Sequence, residues 1–327
     1  MIRVLGENAA ECVEKVFASA RGISLRAADI NRVLYGKILE EDVIVCRTAE
    51  HSVEIHSHGS PVAMRRIAEL LAAHGAGEID REEYLEENYE DVIQRTAAGM
   101  LPHATTWRAT RILLDQMNGA LRKAFMEIET AEDDTRREEL LAELARRRDV
   151  ARHLITPWRV VLAGKPNVGK SSLFNAVMGF SRVLVHEESG TTRDVVRETV
   201  TLDGWNFEFV DTAGLNAETR DEVEKEGIRR AISVLEDADL ILHVRDAADF
   251  EAEVGGYLNE VGGLCAVVLN VWNKSDLRET LPAEFPEDAI FVSAKEAESV
   301  VRLCEKILQM LIPEPPAPGT AIPICEI

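Results

Sequence analysis

Gly164-Lys165-Pro166-Asn167-Val168-Gly169-Lys170-Ser171 has the spacing G-x-x-x-x-G-K-S/T of a phosphate-binding loop. The run before it, Arg159 to Ala163, has the pattern of a buried strand. The stretch after it, Ser171 to Met178, is helix-forming and apolar on one side. Strand, glycine-rich turn and helix, in that order, give the motif its structural meaning. Gly164 and Gly169 let the backbone curl until its N–H groups face inward, and those amides plus the helix N-terminus make an anion site. Asn167, Val168, Gly169, Lys170, Ser171 and Ser172 are the expected nucleotide-binding residues. Lys170 is placed to reach the β- and γ-phosphates and the Ser171 hydroxyl to ligate Mg²⁺. A glycine-rich turn without a ligand is the plainer alternative for this motif alone.

Four further stretches follow at the spacing a guanine-nucleotide site needs. Gly190-Thr191-Thr192-Arg193-Asp194 precedes the strand pattern Val195–Leu202. A loop here can offer a threonine hydroxyl and amide to Mg²⁺ and the γ-phosphate; Thr192 is chosen over Thr191. Asp211-Thr212-Ala213-Gly214 closes the apolar run Phe207–Val210. Asp211 can hold Mg²⁺ through water, and Gly214 leaves its N–H free to meet the γ-phosphate. Asn273-Lys274-Ser275-Asp276 follows a buried strand pattern, Ala266–Val271. The Asp276 carboxylate can accept from guanine N1 and N2, a donor pair that adenine lacks, which favours GTP over ATP. Ser293-Ala294-Lys295 follows Ala289–Val292 and can present a backbone amide to the guanine carbonyl. Each motif sits at the carboxyl end of a strand pattern, the edge where open α/β sheets bind ligands. Leu215 stands where Ras-like enzymes carry a water-orienting Gln. Leucine cannot orient water, so Asn167 and the acidic stretch Asp221-Glu222-Val223-Glu224 become candidates for that work. A helix N-terminus favoured by its dipole is the bland account of those acids.

The chain has 327 residues, enough for two or three domains with their own cores. A formal net charge of −21 argues against non-specific nucleic-acid binding over the whole surface. Arg146-Arg147-Arg148 is one short basic patch, best read as a solvated helix face. Five scattered cysteines without a C-x-x-C pair fit a reducing cytosol and argue against a disulfide framework or zinc knuckle. With no apolar leader core and no span-length apolar stretch, the expectation is a soluble, cytoplasmic protein with no membrane partner.

Residues 1–85 read as a small α+β domain. Strands are expected at Ile2–Leu5, Val43–Val45 and Ser52–His56, and helices at Ala9–Ala20, from Val13, Val16 and Phe17, and at Val62–His74. Glu54, His56 and His58 share one face of a strand, which invites a metal reading; a polar surface is the better account. Residues 86–156 read as a helical region, with one helix from Thr106 to about Thr130 and a second around Leu140–Leu144. Residues 157–312 form the α/β P-loop G domain, Ras-like in class. Residues 313–327 are a proline-rich tail that cannot fold as helix.

These motifs together resemble the tRNA-modification GTPase family called TrmE or MnmE. The resemblance rests on residues 164–172, 190–194, Asp211 to Leu215 and Asp221 to Ile228. It also rests on Val53-Glu54-Ile55-His56-Ser57-His58-Gly59, on Arg3 to Gly6, and on the Trp107–Leu121 helix. It implies an N-terminal domain that forms a homodimer and binds a tetrahydrofolate derivative, with Arg3 and Glu54 at matching positions. It implies that Asn167 coordinates K⁺, which stands in for an arginine finger, and that Glu224 helps position water. Lys170 and Thr192 complete the catalytic set. It implies a flavin-containing partner, MnmG or GidA, and action on the wobble uridine of certain tRNAs. The family's helical domain resumes after the G domain and ends in Cys-x-Gly-Lys, and its N-terminal domain carries Asn-Gly-Lys. Here one helix, about Ala297–Leu311, and the proline-rich stretch stand in the first place, and neither motif is found, so the chain reads as a shortened or divergent member. The competing readings are a regulatory or scaffold GTPase without modification chemistry, and a nucleotide-binding module with negligible hydrolysis.

Overall fold

The computed structural model describes residues 1–184, 196–211, 235, 237–250, 267–282 and 286–325. The chain divides into two compact units, Met1–Glu87 and Asn88–Ile327.

In the first unit, β1 (Ile2–Leu5), β2 (Ala18–Ser19), β3 (Val33–Ile38), β4 (Glu41–Ala49) and β5 (Ser52–His56) form one antiparallel sheet, ordered β1-β5-β4-β3-β2. Alternation decides which face is covered. Leu34, Ile38, Val43, Val45, Val53 and Ile55 point inward and pack with Val13 of α1 (Ala9–Glu14) and with Ile67 and Leu71 of α2 (Pro61–Ala73). Ser60 caps α2 through the Ala63 N–H, and Pro61 opens it at a position where its missing N–H costs nothing. A third helix, α3 (Arg81–Asn88), is acidic in its first turn and buries no side chain.

The first helix is shorter than the spacing of Val13, Val16 and Phe17 predicts. The Phe17 N–H makes the last α-type bond, onto the Val13 carbonyl at 2.9 Å, the Val16 N–H tightens the turn onto the same carbonyl at 3.1 Å, and the helix goes no further because the chain turns into a strand. Ala18 and Ser19 then pair with Lys37 and Gly36. Phe17 still enters the core, so the apolar spacing reported burial correctly and helix length incorrectly.

The second unit opens with α4 (Val92–Met100), α5 (Trp107–Met117), α6 (Ala120–Thr130), α7 (Asp134–Arg146) and α8 (Arg148–Arg152). The single helix expected over Thr106–Thr130 is two helices. Gly119 takes φ = 100°, a left-handed turn, and its N–H closes onto the Gln116 carbonyl at 3.0 Å. Then come β6 (Trp158–Ala163), α9 (Lys170–Leu184), β7 (Val196–Leu202), β8 (Trp205–Asp211), β9 (Leu240–Asp246), β10 (Val267–Asn273), β11 (Ala289–Phe291) and α10 (Ala297–Leu311). Among the described residues the sheet has order β11-β10-β9-β6-β8-β7. It is parallel except for the β7–β8 hairpin. Its central strands read as continuous apolar runs because both faces are covered. Ile112 and Leu113 of α5, and Leu154 just after α8, share one core with Trp158, Trp205, Phe207, Leu242 and Leu303.

After α10 the chain returns to the helices without forming one. Gln116, 1% exposed, donates from Nε2 to the Thr320 carbonyl at 3.1 Å and accepts the Ile322 N–H on Oε1 at 3.1 Å. The Gly319 N–H donates to Asp115 Oδ2 at 2.9 Å. Ile322 is fully buried, and Ala321, Ile324 and Cys325 pack against Ile93, Leu121 and Leu144. No described helix is long and apolar enough to cross a membrane.

Candidate nucleotide-binding site

The carboxyl ends of β6, β8, β9 and β10 lie together because these strands run parallel: Leu162 is level with Asp211 and Leu242, and Asn273 with Asp246. The loop leaving β6 is shaped by its glycines. Gly164 has φ = 147°, and a Cβ there would fall 2.1 Å from the Val244 carbonyl oxygen. Gly169 has φ = 92°, and its Cβ would fall 2.3 Å from Asn273 Nδ2. Only glycine fits either place without a backbone shift. Asn167 also takes a left-handed φ, 67°, and its exposed amide makes no hydrogen bond among the described residues.

Lys170 begins α9 and is 5% exposed. Its Nζ donates to the Gly164 and Lys165 carbonyls at 2.8 and 3.0 Å, which curls the side chain over its own loop. Burial pulls its pKa below the ordinary lysine value, and the nearby Asp211 charge opposes that shift. Ser171 Oγ donates to Asp211 Oδ2 at 2.6 Å, and Asp211 is 4% exposed at the end of β8. A hydroxyl and a carboxylate this close, both hard oxygen donors, suit Mg²⁺. Ser172 is exposed on the next position of α9 and Val168 is buried beneath the loop.

The base end is built from β10 and the loop after β11. Asn273 Nδ2 donates to the Val168 carbonyl at 3.0 Å, and its Oδ1 accepts the Ala294 N–H at 3.4 Å, so one buried amide ties the phosphate loop to the 293–295 turn. Asp276 Oδ1 accepts from Ser293 Oγ at 2.8 Å and Oδ2 from Lys295 Nζ at 3.0 Å. Those two bonds hold its carboxyl below the usual range. Ser293 is itself fixed, its N–H donating to Ser299 Oγ at 2.9 Å. Lys274 reaches Asp246, at the end of β9, with Nζ 2.7 Å from Oδ2.

The structure thus brings together Asn167 to Ser172, Asp211, Asn273, Lys274, Asp276 and Ser293 to Lys295. Thr191, Thr192, Gly214, Leu215 and Glu224 lie outside the described residues. Asp246 escaped the motif reading. Its signal is Leu240-Ile241-Leu242-His243-Val244-Arg245-Asp246, a mostly apolar strand pattern that closes on an acid and marks another strand reaching the ligand edge.

In the first unit, Arg3 and Glu54 face each other across β1 and β5 and form an ion pair. Arg3 Nη1 also donates to Tyr84 Oη at 2.9 Å, and His56 Nε2 lies 3.2 Å from Glu54 Oε2. The Arg3 bond holds the Glu54 carboxyl down and lifts Arg3. Among the described residues no group of three or more His, Cys, Asp or Glu side chains is placed to hold a metal ion.

Residues 159–274 match the family described as 50S ribosome-binding GTPase. The tRNA modification GTPase MnmE of Aquifex aeolicus (strain VF5) is 32% identical, over 94% of this chain and 78% of its own length. The protein of that name in Xanthomonas campestris pv. campestris (strain B100) is 32% identical, over 85% of this chain and 70% of its own. Among solved structures, the G domain of the T. maritima FeoB iron transporter covers 46% of this chain and 97% of its own, at 27% identity and a TM-score of 0.33. From the extent of the two sequence matches, this chain belongs to the MnmE family of tRNA modification GTPases.

Proposed function

We propose that this GTPase hydrolyses GTP at the sheet edge just described, as a K⁺-stimulated dimer that takes part in wobble-uridine modification of tRNA. The observation that carries the reading is the joint placement of the Lys170 loop, the Ser171–Asp211 pair and the Asn273–Asp276 turn. They match the phosphate, metal and base ends of one nucleotide. Ser171, Asp211 and Thr192 would hold Mg²⁺, which when bound neutralises charge on the phosphates. Lys170 needs only to exchange the Gly164 and Lys165 carbonyls for phosphate oxygens. Its desolvation strengthens that contact, since charges act more strongly away from water. The inward amides of the loop bind the same oxygens. Asp276 reads guanine once Lys295 and Ser293 yield its two oxygens to N1 and N2. The Ala294 N–H, which donates to Asn273 Oδ1 at 3.4 Å, would turn to the guanine carbonyl, and Gly214 would meet the γ-phosphate.

Asn167 offers an uncommitted amide oxygen at the top of the loop, a donor type K⁺ accepts, and Glu224 would orient water in place of the missing Gln. The tetrahydrofolate site at Arg3 and Glu54, the flavoprotein partner of MnmG type and the cytoplasmic location belong to the same proposal. The free cysteines Cys12, Cys46, Cys304 and Cys325 suit a reducing compartment.

The test is GTP turnover in KCl against NaCl at equal ionic strength, with Asn167→Ala alongside. Acceleration by K⁺ that the variant loses supports the reading. Turnover indifferent to the cation sinks the K⁺-dependent mechanism.

A further inference from the structure

Lys274 leaves β10 with φ = 63°, and its side chain lies across the phosphate loop: Cε is 4.0 Å from the place a Gly169 Cβ would occupy. The ammonium ends on Asp246, at 2.7 Å, with both side chains part-shielded from water at 33% and 23% exposure. Asp246 is the register partner of Asn273. Its other oxygen accepts the Ala248 N–H at 3.0 Å, which closes the turn Ala247–Asp249. That turn is fastened in its own right, because Arg278 Nη1 donates to the Ala247 carbonyl at 2.5 Å. The carboxylate is therefore gripped from two sides and set on a braced support. Burial would raise its pKa, but the Lys274 and Ala248 bonds outweigh that and keep it low.

We propose that Asp246 is a positioning residue for the base end of the nucleotide site. It anchors the Lys274 ammonium so that the lysine stem is already held against the phosphate loop, beside the turn that carries Asp276, before the nucleotide arrives. The proposal rests on reading Asp276, two residues on from Lys274, as the residue that meets the guanine edge. A free lysine stem samples many rotamers, and ordering it on nucleotide arrival subtracts from affinity. Anchoring it beforehand removes that cost. The ammonium is committed to Asp246 in this arrangement. Its charge serves to hold the stem, and an acid at the end of β9 is what gives the charge something to hold.

The test uses the full chain and a fluorescent methylanthraniloyl-GDP, with Asp246→Ala, Lys274→Ala and the double variant. The expected result is that Asp246→Ala weakens GDP binding about tenfold, and that adding it to Lys274→Ala weakens binding no further. The loss should fall on KM for GTP rather than on kcat, which a merely structural role would not arrange. Multiplying losses in the double variant, or an Asp246→Ala affinity within about twofold of wild type, overturn the proposal. Asp246→Asn keeps an oxygen for the Ala248 N–H and replaces the alanine variant if that one fails to fold. Asp276→Asn with XDP runs in parallel. If it gains xanthine preference while the coupling is absent, only the role of Asp246 falls. If it gains none, the base-end reading and the proposal fall together.

Discussion

Gln116→Leu isolates what holds the returning tail. The glutamine is buried, and its amide serves the Thr320 carbonyl and the Ile322 N–H, a pair that no other described group serves in its place. Leucine of similar size fills the space and leaves both backbone groups unpaired. A buried orphan costs about 1–3 kcal/mol. Ile322 is fully buried and takes the larger share, whereas Thr320 is half-buried and can recruit water, so the sum is about 2–3 kcal/mol. For a unit of this size that is a fall in Tm of roughly 4–12 °C. The assay is intrinsic to the chain. All four tryptophans, Trp107, Trp158, Trp205 and Trp272, lie in Asn88–Ile327, so tryptophan fluorescence follows that unit without the first. A second arm removes residues 313–327, and in that background Gln116→Leu should cost little, since the two tail groups it would orphan are gone and the Ile112 carbonyl it also meets keeps its helical bond. An unchanged melting midpoint in the intact chain, or an equal loss with and without the tail, refutes the reasoning.

Gly164→Ala should lose GTP binding and destabilise the second unit, because its Cβ meets the Val244 carbonyl oxygen at 2.1 Å; wild-type GTP affinity by equilibrium titration would contradict this. Lys170→Ala should abolish tight GTP binding, and Asp276→Asn should move preference from guanine to xanthine, both read by nucleotide competition. Asp239 gives a pH prediction. Burial would raise its pKa, yet His153, the Arg159 N–H at 2.7 Å and Arg152 at 3.0 Å together hold it below the ordinary 3.8. A lowered folded-state pKa means that its stabilisation is complete above 3.8 and is lost as pH falls below that value toward the folded pKa. Asp239→Asn should therefore flatten the acid limb of the tryptophan-monitored stability curve, and an unchanged limb would count against the assignment.

The phosphate and base ends were legible because each is a contiguous motif at a strand end. Gly164 to Ser171 and Asn273 to Asp276 need no distant partner to be recognised. The pairs that complete them are of another kind. Lys274 meets Asp246 from 28 residues away, and Gln116 meets Ile322 from 206. Such pairings follow from strand order and the chain's return path, which local pattern does not encode. Helix boundaries failed for a nearer reason. Apolar spacing at Val13, Val16 and Phe17 reports which side chains are buried, and the pairing of Ala18 and Ser19 with β3 decides where the helix ends. At Gly119 the break is written in the sequence, but Leu113, Met117, Leu121, Phe125 and Ile128 in helical register outweigh it.

The return of residues 319–325 to α4, α5, α6 and α7 has a consequence for biosynthesis. At roughly 5–20 residues per second, the ribosome releases the tail some 10–40 s after Gln116. Through that interval the sheet and its nucleotide loops are synthesised while the groove beside Leu121 and Leu144 waits uncovered. The helical layer is thus made before the sheet and sealed after it. Until then the apolar side chains of that groove have no cover from their own chain.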